Sequence, residues 1–174
     1  MVTTAKEEFK NEFKIGTETE QRFLKDCESL GIVCTKSTPQ EDMEDHFDFI
    51  ITAKGKEFKV DVKGLKKLTR KDAEAQEDYH FLEIVSVAKK RGWAFGKADL
   101  FVFETFGYWI FVKKDALQKL ILEKVKKEKV SKVTECLYKL YTREGRQDLI
   151  TMVKSLDLMA IASKRMKKSV IPAI

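Results

Sequence analysis

The sequence predicts an α/β protein, with a mixed-sheet core over residues 1–113 and a basic helical extension over 114–174 packed on it. Three observations predict this. Short apolar or alternating runs fill the middle of the chain: FDFIITA, FKVDVKG, YHFLEIVSVA, DLFVFETF and YWIFVKK. A helical stripe precedes them, and helical spacings follow them. Hydrophobic residues make up 43% of the chain, with only two prolines and eight glycines, which excludes a disordered polypeptide.

The elements follow in order. TETEQRFLKDCESLG (17–31) reads as a helix: Thr17 and Glu20 have capping-box spacing, Gly31 supplies a stop, and Phe23, Leu24, Cys27 and Leu30 form the buried stripe. GIVCTKS predicts a strand. The next two strands hinge at Lys54-Gly55-Lys56 as a hairpin. Residues 64–78 are polar and predict a loop with some helix. A strand follows over 79–88, then a glycine-bearing connection, then strands over 99–106 and 108–114 about Gly107. Beyond them, Leu117, Leu120, Ile121 and Val125 fit one helical face, and Val130, Val133, Leu137, Leu140 and Tyr141 fit another. RQDLITMVKSLDLMAIASKRMKK predicts one or two short helices.

Composition narrows the function. No apolar run approaches the roughly 18 residues of a membrane span, so no membrane partner is expected. The opening MVTTAKEEFKNEFKIG lacks the apolar segment of a secretory leader, which points to a cytoplasmic protein, of a cell or of a phage-infected host. The three cysteines, Cys27, Cys34 and Cys136, are widely spaced in apolar surroundings; with only two histidines, they read as reduced core residues rather than zinc ligands. Residues 114–174 hold 15 Lys and Arg against 7 Asp and Glu, while 1–113 hold 19 against 21. The stretch GLKKLTRK (64–71) adds four positive charges with no acid, and such a footprint suits a polyanion.

Two aspartates stand where strands should bury apolar groups. In FKVDVKG, alternation puts Asp61 and Lys63 on the face opposite Val60 and Val62. If this strand pairs with the one opened by Asp48, the two carboxylates lie side by side and require a cation between them. Oxygen ligands at that spacing suit Mg²⁺, and Lys63 then projects beside the ion.

An acid on an apolar strand followed by D-x-K on the next resembles the PD-(D/E)xK nuclease superfamily. Asp48 matches the first acid, and Asp61-Val62-Lys63 match the second motif; Phe47 replaces the usual proline. The resemblance implies a restriction-endonuclease-like core: helix, mixed central sheet, flanking helices, in the order helix, three strands, helix, strand. It covers about residues 15–112, including LEIVSVAKKRGWAFGKADLFVF, which resembles segments of phage and bacterial relatives. It implies a Mg²⁺-dependent DNA endonuclease, with Mn²⁺ able to substitute, acting in DNA repair or recombination and of a kind that often works as a homodimer. Asp48, Asp61, the Val62 carbonyl and Glu20 would hold the metal, and Lys63 would assist the attacking water. Glu20 also has the capping-box reading open to it.

Lys66, Lys67, Arg70 and Lys71 directly follow the candidate strand, and Lys89, Lys90, Arg91 and Lys97 surround Trp93; both groups are candidate phosphate contacts. Arg143, Arg146, Lys164, Arg165, Lys167 and Lys168 charge the tail. Gln76 and Glu83 are possible additions to the site, His46 reads as a rim residue, and Trp93 and Phe95 read as anchors rather than base stackers. A nucleic-acid-binding protein without catalysis is the second reading, and a docking protein with a basic tail is the third.

Overall fold

The computed structural model describes residues 5–169, with side chains over 17–169. In chain order the elements are α1 (Ala5–Ser29), β1 (Val33–Lys36), α2 (Pro39–Asp45), β2 (Phe49–Ala53), β3 (Lys56–Lys63), β4 (Tyr79–Val85), β5 (Leu100–Glu104), β6 (Tyr108–Lys113), α3 (Lys114–Lys124), β7 (Lys129–Val130), β8 (Leu140–Tyr141), β9 (Leu149–Lys154), α4 (Ser155–Ala160) and β10 (Lys164–Lys167). They build a six-stranded mixed sheet, β1-β2-β3-β5-β6-β10, and a four-stranded sheet, β4-β9-β8-β7.

β1, β2 and β3 form an antiparallel meander. Its tight hairpin has Lys54 and Gly55 both at positive φ, the backbone that suits the right-handed twist of paired strands. β5 then adds to β3 in parallel, with Asp61 beside Phe101 and Lys63 beside Phe103. A parallel neighbour requires a crossover. Residues 64–99 supply it with β4 and a short 3-10 turn (Trp93–Phe95), where the resemblance implied a helix. The expected helical content of 64–78 is also absent from this segment.

Each face of the large sheet has its own apolar cluster. Phe23 and Cys27 of α1 pack on Phe49, Ile51, Val60, Val62, Val102, Trp109 and Phe111. On the other face, Phe101, Phe103, Ile110 and Val112 meet Leu82 of β4, Val153 of β9, Leu117, Leu120 and Ile121 of α3, and Leu158 of α4. Burying each such side chain contributes about 1.5–3 kcal/mol. α1 is held across its face by a polar latch as well: buried Asp26 accepts from Trp109 Nε1 at 2.7 Å and from Ser169 N at 3.1 Å.

The chain beyond residue 113 is not the predicted helical extension. α3 and α4 are its helices among the described residues; the rest is β7 to β10 and turns. β9 pairs with β4, and β10 pairs with β6, so this segment is woven into both sheets. The spacing of Val130, Val133, Leu137, Leu140 and Tyr141 imitates a helical stripe, yet Val130 lies in β7, Leu140 and Tyr141 lie in β8, Leu137 bridges Met152 of β9, and Val133 sits in a 3-10 turn. α1 also starts well before Thr17, so Thr17 lies inside the helix and the predicted capping box does not form there. The capping box is at α2, where Thr38 Oγ1 accepts from Glu41 N and Glu41 returns a bond to Thr38 N, with Pro39 at the first turn.

Candidate active site between β2 and β3

β3 carries the site. Its pairing with β5 turns Asp61 and Lys63 toward the Phe101 and Phe103 face, away from α1. Asp48 immediately precedes β2 and stays beside β3, because its N–H donates to Val60 O at 2.8 Å. Its Oδ2 accepts from Val62 N at 2.6 Å. The Asp48 carboxylate thus takes a backbone donor of β3, and the two carboxylates lie close enough to repel each other.

Lys63 completes the cluster. Its Nζ lies 2.7 Å from Asp61 Oδ1 and 4.3 Å from the centre of the Trp93 ring. Trp93 packs at a tilt against Phe101 and Phe103, so Lys63 sits between a carboxylate and an indole face that both favour the ammonium. Gly92 permits this: a Cβ there would run into the Glu83 carbonyl.

Burial pushes the Asp48 carboxyl up to about 7, and Asp61 adds to the shift; Lys63 and the Val62 N–H work against it. Burial raises Asp61 too, with Lys63 opposing. Burial alone would lower Lys63, but Asp61 and Asp48 outweigh it and hold it charged. Asp61 is 3% exposed, and its Oδ2 is buried without a hydrogen-bond partner. A buried carboxylate oxygen left this way is costly. A proton on Asp48 or a divalent cation between the two acids satisfies it. The residues therefore fit a hard cation bound by two carboxylates and completed by water.

The other expected residues are distributed less closely. Glu20 projects from α1 and forms an ion pair with Lys36 of β1. Burial raises its pKa, Lys36 opposes, and the Asp48 charge contributes, so it feels the site without joining the aspartate pair. Among the described residues no three Asp, Glu, His or Cys side chains converge as a complete cation cage. Val62 offers its N–H to Asp48, while its side chain packs toward α1. Glu83 is half-buried and lies within electrostatic reach of Lys63. Gln76 is occupied elsewhere, tying Lys66 O to both backbone groups of Tyr79. His46 caps α2 in a left-handed conformation and is exposed.

Lys66, Lys67, Arg70 and Lys71 lie exposed on the segment leaving β3, which a Thr69–Asp72 turn orders. Lys89, Lys90 and Arg91 lie exposed on the tight turn after β4. In the tail, Arg143 pairs with Asp148 and Lys168 with Glu104, while Lys164, Arg165 and Lys167 line the edge strand β10.

Sequence reading missed the support beneath the site. Glu104, 1% exposed at the end of β5, accepts two bonds from Arg22 at 2.9 Å, one from Lys168 at 2.6 Å and one from Leu65 N at 3.3 Å. It fixes the chain as it leaves Lys63. Gly64 lets that exit pass close to α1, since a Cβ there would collide with the Thr19 hydroxyl. The signal available was an acid ending an apolar strand, LFVFE. No protein-family model matches this chain, and comparisons with curated proteins and solved structures also return no match. Among the described residues no helix is long and apolar enough to cross a membrane.

Proposed function

We propose that this chain is a metal-dependent DNA endonuclease of restriction-endonuclease-like architecture, hydrolysing phosphodiester bonds at Asp48, Asp61 and Lys63. The observation that carries the reading is the unsatisfied, buried Asp61 Oδ2 beside a second carboxylate and an ammonium. The antiparallel β1-β2-β3 meander with β5 parallel to β3, and α1 behind it, supports the architecture. The missing crossover helix is a departure from the pattern.

Asp48 and Asp61, with the Val62 carbonyl, would hold Mg²⁺ or Mn²⁺, which supplies Lewis-acid polarisation and a more acidic bound water. Lys63 stays protonated against Asp61 and Trp93, placed to offset charge developing on the phosphate. Asp48, which burial raises to about 7, would give up its proton to let the pair hold such a cation. The exposed basic groups at 66–71 and 89–91, both ahead of Trp93 in the sequence, offer phosphate contacts.

Non-catalytic nucleic-acid binding is the second reading, favoured by the Lys63–Asp61 pair, which already neutralises one acid without a metal. Incubating supercoiled plasmid with the protein in Mg²⁺ and in EDTA separates the two. Nicking only with Mg²⁺, abolished in Asp61→Asn, is expected; salt-sensitive binding without nicking selects the second reading.

A further inference from the structure

The seam between α1 and β1 holds two side-chain pairs. On α1, Glu20 and Cys27 are seven residues apart, close to two full turns, and share a face. On β1, Cys34 and Lys36 are two apart and also share a face. Glu20 pairs with Lys36, and Cys34 packs against the apolar cluster that contains Cys27, which brings the two thiols within each other's electrostatic reach. The register agrees: Cys34 sits opposite Ile51, whose side chain belongs to the α1-facing cluster that contains Cys27. Ile32 N donates to Cys27 O at 2.9 Å, which pins the short connection between the elements.

The two thiols differ in access. Cys27 is fully buried, whereas Cys34 is partly exposed on an edge strand. We propose that Cys27 and Cys34 form a reversible oxidation site, with Cys34 as the peroxide-reactive thiol and Cys27 as its built-in resolving partner. The neighbouring Cys27 thiol lowers the Cys34 pKa, burial opposes this, and Lys36 reinforces it. The same pairing, with burial, pushes Cys27 up, so it waits as a thiol. Cys136 is fully buried, and burial raises it to about 11.

The chemistry closes with a hydroperoxide as oxidant. The Cys34 thiolate attacks one peroxide oxygen; the S–O bond forms, the O–O bond breaks, and hydroxide or alkoxide leaves and takes a proton. The Cys27 sulfur then attacks the sulfenic sulfur. The S–S bond forms, the S–O bond breaks, and the departing hydroxyl leaves as water with the Cys27 proton. The thiol pair gives up two electrons, which the peroxide accepts. A dithiol reductant reverses the step by exchange. The cross-link locks the register in which Glu20 meets Lys36.

Tryptic cleavage after Lys25 and Lys36 yields one peptide, 26–36, carrying both cysteines. After treatment of the full chain with hydrogen peroxide, this peptide is expected two hydrogens lighter and blocked to alkylation, reverting with dithiothreitol. Cys136 stays alkylatable, and Cys34 reacts at least about tenfold faster than it. In Cys27→Ala, Cys34 accumulates as a sulfenic acid captured by dimedone; Cys34→Ser shows neither product. The wild-type mass shift decides the question should either variant fold poorly. An unchanged peptide overturns the proposal. So does Cys34 carrying two oxygens while Cys27 remains alkylatable, or a disulfide joining two chains. The readout needs no nucleic acid, so it stands or falls apart from the nuclease reading.

Discussion

Half-buried Asp48 and buried Asp61 are neighbours but differ in their partners. Lys63 contacts Asp61, while Asp48 sets the Lys63 charge and the Val62 N–H against burial and the Asp61 charge. Under the nuclease reading, Asp61→Ala abolishes Mg²⁺-dependent nicking while circular dichroism keeps the wild-type spectrum; unchanged nicking removes Asp61 from the site. Lys63→Ala is expected to lower kcat about 100-fold or more with DNA affinity nearly unchanged, and equal losses in both would recast it as a phosphate clamp. The Asp48 proton gives a test independent of cleavage. Its folded pKa, near 7, lies above the ordinary 3.8, so the folded chain holds a proton that the unfolded chain has released. That contribution is lost as pH rises through this window. Asp48→Asn should therefore raise Tm by several degrees at pH 8, and Mg²⁺ should raise Tm in the wild type but not in the variant. Thermal melts with and without the ion measure both.

Among the elements, β2, β3, β5 and β6 were legible because alternation and β-branched or aromatic residues agree with their pairing. The approach of Asp48, Asp61 and Lys63 followed from that alternation together with the expected pairing of β2 and β3. β8 and β9 were not legible: LITMVK is buried almost throughout, and a short continuous apolar run carries no period that separates strand from helix. The start of α1 was misread because Thr17 and Glu20 satisfy a capping pattern that twelve further helical residues override. Glu20 was thereby freed for Lys36, a partner named by tertiary contact and not by spacing. Glu104 was missed because its three basic and backbone donors come from α1, the β3 exit and the tail. Two substitutions test the supporting elements by urea midpoint. Thr38→Ala removes the α2 cap and should cost about 1 kcal/mol. Gly64→Ala pushes a methyl into Thr19 and should cost about 1–3 kcal/mol; a neutral Gly64→Ala would show that the β3 exit can retreat from α1.

Across the whole molecule, buried His80 and half-buried Asp48 oppose each other in acid. His80, 4% exposed against Phe103 with Nε2 unpartnered, is held neutral by burial, which lowers its pKa to about 4. The unfolded chain takes up that proton from about pH 6.5 downward, so His80 lowers stability as pH falls, by on the order of 2–3 kcal/mol at pH 4. Asp48 acts with the opposite slope over much of the same range. His80→Phe should unmask the Asp48 slope, with stability falling from pH 4 to 7; Asp48→Asn should unmask acid lability. Urea midpoints across this range measure both, and parallel curves for the two variants would refute the opposition. The large sheet also depends on sequence-distant partners. Lys168 completes the salt-bridge set on Glu104, and Ser169 completes the bonds on Asp26. During synthesis on a ribosome, both acids must wait for those late residues to emerge. Until then the meander and the β5–β6 hairpin can pair, but the helix above them lacks its final fasteners, which leaves the nascent chain exposed to proteases and to other chains.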